Sequence, residues 1–131
     1  MKTSQIAAWL IYGVCAFQIA LVVGAPWGAF TQGGATPGRL DVGGRLIAGF
    51  SAFLLYGMAQ SLLAQDNLGA FKDKTHRFKR RAGWATTSYL VLGIIANLAT
   101  PSLGEKLIWA PTSTIIFVLA LMTMLRTRKR I

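Results

Sequence analysis

The chain has 131 residues, of which 53% are hydrophobic and only 14% are charged. Soluble domains average about 25% charged residues, so this composition argues against a soluble domain and favours a protein embedded in lipid. The net charge of +10 is carried by short basic runs between apolar segments, a pattern of membrane topology rather than of a nucleic-acid-binding face. One cysteine and one histidine exclude an intramolecular disulfide, a cysteine zinc site and a bis-histidine haem site.

Four apolar segments without charged residues predict four transmembrane helices. In chain order they cover residues 5–24, 46–64, 84–100 and 109–125. Their lengths match the roughly 17–25 residues that a membrane-spanning helix needs, and lipid offers no other partner to backbone polar groups. Pro111 falls in the first turn of the fourth segment, where its missing N–H costs little. We therefore predict an all-α, single-domain bundle of four transmembrane helices over residues 1–131, with the first segment retained rather than cleaved.

The segment between the first two spans, residues 23–45, holds seven of the fourteen glycines and two of the four prolines. Proline cannot donate a backbone hydrogen bond and helps to end a helix, and glycine permits backbone conformations closed to other residues. We expect a folded cap over the helix ends; the alternative is a loop that binds a ligand or partner. The residues expected to shape it are Pro26, Trp27, Gly28, Gly33 and Gly34.

Most polar residues in the spans gather on the same side as this segment: Gln18, Asn97, Thr100 and residues 112–114. Amides in lipid usually hydrogen-bond to neighbouring helices, so Gln18 and Asn97 predict either such contacts or a polar cavity beneath the cap. Glu105 close to Trp109 is placed to orient a substrate cation, whereas an ion pair with Lys106 is the simpler interpretation. The resulting candidate outer-face site comprises Gln18, Pro26, Trp27, Gly28, Gly33, Gly34, Asn97, Glu105 and Trp109.

A basic run separates the second and third spans. Near an anionic membrane surface, each such cation contributes about 1 kcal/mol of attraction. Six residues are therefore candidate contacts for anionic lipid: Lys72, Lys74, Arg77, Lys79, Arg80 and Arg81.

The distribution of charge predicts the orientation. Of the fourteen Lys and Arg residues, one precedes the first span, six lie between the second and third, and four follow the last span, ending at Arg130. Only Arg39, Arg45 and Lys106 fall on the opposite side. The positive-inside rule then places both termini in the cytoplasm and residues 23–45 outside.

Small residues predict how the helices pack. Ala16, Ala20 and Gly24 recur every four residues in the first span. In the second, Gly49, Phe53 and Gly57 have the same spacing, with Ala48 and Ala52 beside them. Because small residues let helices approach closely in lipid, we expect these faces to point inward.

Two stretches, GAPWGAFTQGG after the first span and NLATPSLGEKLIWAP before the fourth, resemble an uncharacterised family of small four-helix bacterial inner-membrane proteins. The similarity extends over nearly the whole chain. It implies a bacterial inner-membrane protein with a distinctive outer face, and it implies no activity, ligand or catalytic residue.

The residues do not assemble an enzyme site of convergent nucleophile, acid–base pair or metal ligands. We expect a non-enzymatic membrane protein, without metal or cofactor, whose outer face binds a partner protein, a lipid or a small molecule. Expected partners are the bilayer, a second copy of the chain or another membrane protein, and not nucleic acid. The alternatives are a small-molecule transporter subunit, although the first span lacks the carboxylate that proton-coupled transporters use, and an enzyme subunit whose partner supplies the cofactor.

Overall fold

The structure, a computed structural model, describes residues 1–129. Four helices, α1 (Thr3–Val22), α2 (Val42–Leu63), α3 (His76–Ala99) and α4 (Leu103–Arg126), dominate this range, which contains no strand. All four are long and apolar enough to cross a membrane. The prediction of an all-α chain with four such helices is therefore confirmed, while Arg130 of the basic C-terminal tail lies outside the described residues.

The third and fourth helices are longer than the sequence analysis predicted. They begin at His76 and Leu103 rather than at residues 84 and 109. Thr75 caps α3 by accepting a hydrogen bond from a backbone N–H of its first turn, and Ser102 caps α4 in the same way. The prediction was too short because it included only uncharged apolar stretches, whereas each helix extends from its capping residue through the charged residues that precede them.

Pro111 consequently lies in the interior of α4, and its placement in a first turn was wrong. There it cannot donate to the carbonyl four residues earlier, that of Leu107. The next two residues add side-chain hydrogen bonds to the carbonyls that follow: the hydroxyl of Thr112 donates to the Ile108 carbonyl at 2.6 Å, and that of Ser113 donates to the Trp109 carbonyl at 2.6 Å.

The helices form a ring in which α1 packs mainly on α2, α3 mainly on α4, and the pairs α1–α4 and α2–α3 close the bundle. One end of the bundle carries residues 23–41 and 100–102, and we call it the loop end. The other carries residues 64–75 and both ends of the described chain, and we call it the terminal end.

The centre of the bundle is built around small side chains, which let the helices approach closely. Its buried members are Ala7, Ala8, Ile11, Met58, Ala59, Leu62, Leu90, Ile116 and Ala120. Large apolar side chains point outward instead; Phe53 is 77% exposed, and Phe50, Leu92 and Leu107 are similarly exposed. Such an apolar exterior is expected of helices that face lipid rather than water.

The packing faces predicted for α1 and α2 were partly wrong. Ala16 and Phe53 are exposed, and a side chain added at Gly57 would meet open space. Ala48 and Ala52, which were predicted for the packing face of the second span, do pack inward, as do Ala7 and Ala8 on α1 and Ala59 on α2. A helix that is apolar on all sides gives no periodic signal for its inward face.

Candidate functional site

Residues 23–41 fold back over the loop end, and we call this segment the loop cap. At its start, Arg45 Nε donates to the Val22 carbonyl at 2.7 Å, which satisfies one of the free carbonyls at the end of α1. At its end, Asp41 Oδ1 accepts a hydrogen bond from the Gly44 N–H at 2.8 Å and caps α2. The first of these bonds joins the end of α1 directly to α2, and the second joins the end of the loop cap to α2.

Gly28 joins the two halves of the loop cap. Its N–H donates to the Gly38 carbonyl at 2.8 Å, and a Cβ at position 28 would lie 1.8 Å from the Thr36 oxygen. Gly33 and Gly34 adopt φ values of 75° and 71°, which favour glycine. The backbone could not follow this path with larger residues at these points.

Aromatic rings connect the loop cap to the helices. Trp27 stacks on Phe17 of α1, with ring centroids 5.8 Å apart and planes inclined by 11°. Phe17 also lies 4.8 Å from the Trp109 ring of α4. The Trp109 Nε1–H donates to the Phe30 carbonyl at 2.7 Å, so this indole contacts both the loop cap and the bundle.

Glu105, in the first turn of α4, connects the loop cap to the α3–α4 connection. Its Oε2 accepts hydrogen bonds from the Gly33 N–H and the Thr100 hydroxyl, each at 3.0 Å. The alternative of an ion pair with Lys106 was wrong, because the only ion pair among residues 1–129 joins Asp66 and Arg126. The second carboxylate oxygen, Oε1, makes no hydrogen bond within the described residues.

A partly open cavity of about 230 Å³ lies between the four helices beneath the loop cap. Its walls change in character with depth. Polar or amphipathic side chains surround the part nearest the loop cap: Gln18, Thr31, Asn97, Glu105, Trp109, Thr112 and Ser113. Apolar side chains from the middle of the helices line the deeper part, among them Ile11, Val14, Leu54, Met58, Leu90 and Ile116.

The structure brings together four of the nine residues of the candidate outer-face site on the walls of this cavity: Gln18, Asn97, Glu105 and Trp109. The other five, Pro26, Trp27, Gly28, Gly33 and Gly34, shape the loop cap and do not line the cavity. The Asn97 amide donates to the Trp109 carbonyl and the Ser113 hydroxyl, each at 3.3 Å, so it joins α3 to α4. The Gln18 amide makes no hydrogen bond within the described chain.

Several cavity residues escaped the sequence analysis. Thr31, Ser51, Tyr89 and Gly93 all line the cavity, but single polar or small residues in apolar segments carry no sign of the direction they face. The run TST at residues 112–114 gave a usable signal, because successive helix residues lie about 100° apart and three hydroxyls therefore cover more than half of the helix circumference.

A second polar cluster lies at the terminal end, and the sequence analysis missed it. Asp66, whose side chain is 0% exposed, forms a two-point ion pair with Arg126 at 2.8 and 2.9 Å. It also accepts a hydrogen bond from the Ser4 hydroxyl, so the cluster joins α1, α4 and the short turn after α2. The available signal was that Asp66, one of only four acidic residues, lies two positions after the end of an apolar segment.

The six candidate lipid contacts divide into two groups. Arg80 points into the bundle and donates to Gln65 Oε1 at 3.0 Å, Thr127 Oγ1 at 2.8 Å and the Met124 carbonyl at 3.0 Å. Lys79 donates to the Asn67 side chain at 2.8 Å. The other four, Lys72, Lys74, Arg77 and Arg81, are exposed. Arg80 therefore has a structural role between α3 and α4.

Within residues 1–129, no group of three or more His, Cys, Asp or Glu side chains is arranged to hold a metal ion. The fold and site thus define an all-α protein with four membrane-length helices and a capped cavity. No protein-family model, curated protein or solved structure matches the chain.

The Trp27–Phe17 stack gives a prediction about the loop cap. We expect Trp27→Ala to increase amide hydrogen exchange over residues 28–40 about tenfold, because an aromatic pair contributes about 0.5–1.5 kcal/mol beyond its burial. Trp84→Ala at the terminal end is the matched control and should leave this exchange unchanged. Rapid exchange over residues 28–40 already in the wild type would contradict a folded loop cap.

Proposed function

We propose that this is a non-enzymatic, multi-pass protein of the bacterial inner membrane that binds a small amphipathic molecule in the cavity beneath its loop cap. The observation that carries the proposal is the graded cavity, polar beneath the loop cap and apolar in the middle of the bundle. Ligand sites are typically mainly apolar with a few polar groups that orient the ligand. The resemblance of GAPWGAFTQGG and NLATPSLGEKLIWAP to small bacterial membrane proteins supports the location.

The cavity has the capacity for such a ligand. An apolar protein cavity of about 150 Å³ binds benzene, and this one measures about 230 Å³. A ring with a short polar side chain therefore matches its volume, with the ring against Leu90 and Ile116 and the polar group near Gln18 and Asn97.

Gly93 offers a direct test, because it lines the cavity and a Cβ there would meet nothing within 4 Å. In lipid nanodiscs, we expect 2-phenylethanol or 2-phenylethylammonium to raise the unfolding midpoint of the wild type. Gly93→Leu should fold and lose this response, because its side chain fills the cavity. Gly57→Leu is the matched control, since position 57 is equally open but lies outside the cavity.

Two results would contradict the proposed function. The first is the absence of any stabilisation of the wild type by either compound at millimolar concentration. The second is equal stabilisation of the Gly93→Leu and Gly57→Leu variants, which would place the binding site elsewhere.

We propose that both termini face the cytoplasm and the loop cap faces outward. The asymmetry of Lys and Arg supports this orientation, as does the exposure of Lys72, Lys74, Arg77 and Arg81 at the terminal end. Reporter fusions after Arg81 and Arg130 should read cytoplasmic, and a reporter inserted within residues 33–38 should read external. An external signal after Arg81 would contradict the topology.

A further inference from the structure

We infer that the cavity selects a small organic ammonium cation with an apolar body; this inference rests on the proposed binding function. The cavity walls contain one carboxylate, Glu105, and no Lys, Arg or His. In a chain with fourteen basic residues and only four acidic ones, this local charge is the reverse of the overall charge. A carboxylate without a cationic neighbour on the cavity walls favours a ligand of opposite sign.

The Glu105 carboxylate is held in place for such a ligand. Its Oε2 is fixed by the Gly33 N–H and the Thr100 hydroxyl, and its position in the first turn of α4 stabilises the negative charge through the helix dipole. Its Oε1 makes no hydrogen bond within residues 1–129, so it keeps acceptor capacity for an ammonium N–H. The carboxylate therefore does not need to break its structural contacts to bind a cation.

The surroundings of Glu105 also suit a cation. The indole of Trp109, one turn further along α4, lines the same cavity, and the face of an aromatic ring attracts an ammonium group within about 6 Å. The Gln18 amide, which has no partner within the described residues, supplies a further carbonyl acceptor. An anionic ligand would meet the Glu105 charge with no cation to offset it, and the site would therefore exclude it.

The depth of the cavity defines the rest of the ligand. Beyond the polar part, the walls are mainly hydrocarbon, from Ile11, Leu54, Leu90 and Ile116. The Ser51 hydroxyl and the Tyr89 phenol are the polar groups at that depth. The ligand class is therefore an ammonium group on one ring or a short chain, oriented with the nitrogen toward the loop cap and the apolar body toward the middle of the bundle.

Three probes with the same ring test the charge preference: 2-phenylethylammonium, neutral 2-phenylethanol and anionic 3-phenylpropanoate. With wild-type protein in nanodiscs of uncharged lipid, we expect the ammonium probe to bind at least tenfold more tightly than the alcohol, and the carboxylate to show no measurable binding. Glu105→Gln keeps an acceptor oxygen for Gly33 and removes the charge. It should reduce the affinity for the ammonium probe at least tenfold and leave that for the alcohol unchanged.

Asp41→Asn is the matched control, because it removes an acid at the loop end that does not line the cavity; the affinity for the ammonium probe should not change. Equal binding of the ammonium probe and the alcohol to the wild type would overturn the inference while leaving the proposed function intact. The absence of binding by all three probes would overturn both. The ranking in wild-type protein is decisive by itself if Glu105→Gln fails to fold.

Discussion

A Gly28→Ala variant is expected to lose about 3 kcal/mol of unfolding free energy, at the upper end of the range for overpacking substitutions. The new Cβ would lie 1.8 Å from the Thr36 carbonyl oxygen and 2.7 Å from that of Gly38. Both obstacles are backbone atoms, so no side-chain rotation relieves the contact, and the two halves of the loop cap must separate. Denaturant unfolding in detergent measures the loss, and hydrogen exchange should locate it in residues 28–40.

Gly43→Ala is the matched control for this substitution. Its Cβ would have Asp41 Oδ1 at 3.7 Å as nearest neighbour, an ordinary contact, and alanine is favoured over glycine in a helix by about 1 kcal/mol. We therefore expect unchanged or slightly higher stability. A Gly28→Ala protein as stable as the Gly43→Ala protein would mean that the loop cap does not pack as described.

Asp66→Asn is expected to lower the free energy of unfolding by about 2–3 kcal/mol. Removing one partner of a wholly buried ion pair costs roughly 3–5 kcal/mol. We expect a smaller loss here because only Asp66 is fully buried: its side chain is 0% exposed, whereas that of Arg126 is 34% exposed. The amide keeps one acceptor oxygen but loses the charge that holds both guanidinium nitrogens. Thermal or denaturant unfolding in detergent measures the effect.

Two further variants test whether the loss of stability comes from this ion pair or from the change in net charge. Asp73→Asn removes an exposed acid and should change stability by less than about 0.5 kcal/mol. The double variant Asp66→Asn with Arg126→Gln should be less destabilised than the sum of the two single variants, because their interaction is lost only once. Strict additivity would show that Asp66 and Arg126 do not interact.

The sequence by itself determined the number of long helices and their approximate positions. Uncharged apolar stretches of membrane length leave the backbone only one economical structure, so the secondary structure followed from composition along the chain. The helix starts were less well determined, since Thr75 and Ser102 cap α3 and α4 well before the apolar residues begin. Both N-capping residues are of types that favour the start of a helix, so they would have given the correct first residues of α3 and α4.

The sequence also determined which candidate residues share one end of the bundle. The position of a residue along a long helix sets its distance from each end of the bundle. Four candidate residues therefore had to lie near the segment rich in glycine and proline: Gln18, Asn97, Glu105 and Trp109. Whether they face one another depends on the rotation of each helix about its axis. Only the tertiary structure decided that all four line one cavity, and that Trp109 also contacts the loop cap.

Rotation could not be obtained from the sequence because these helices are apolar on nearly every side. In a water-soluble bundle, polar residues mark the outward face, whereas here the outward faces are as apolar as the inward ones and this marker is absent. For this reason Ala16 was predicted to pack inward and is exposed, whereas Ala59 is fully buried. The ion pair of Asp66 and Arg126 could not be predicted from the sequence either. It joins residues sixty positions apart, and only the packing of the helices brings them together.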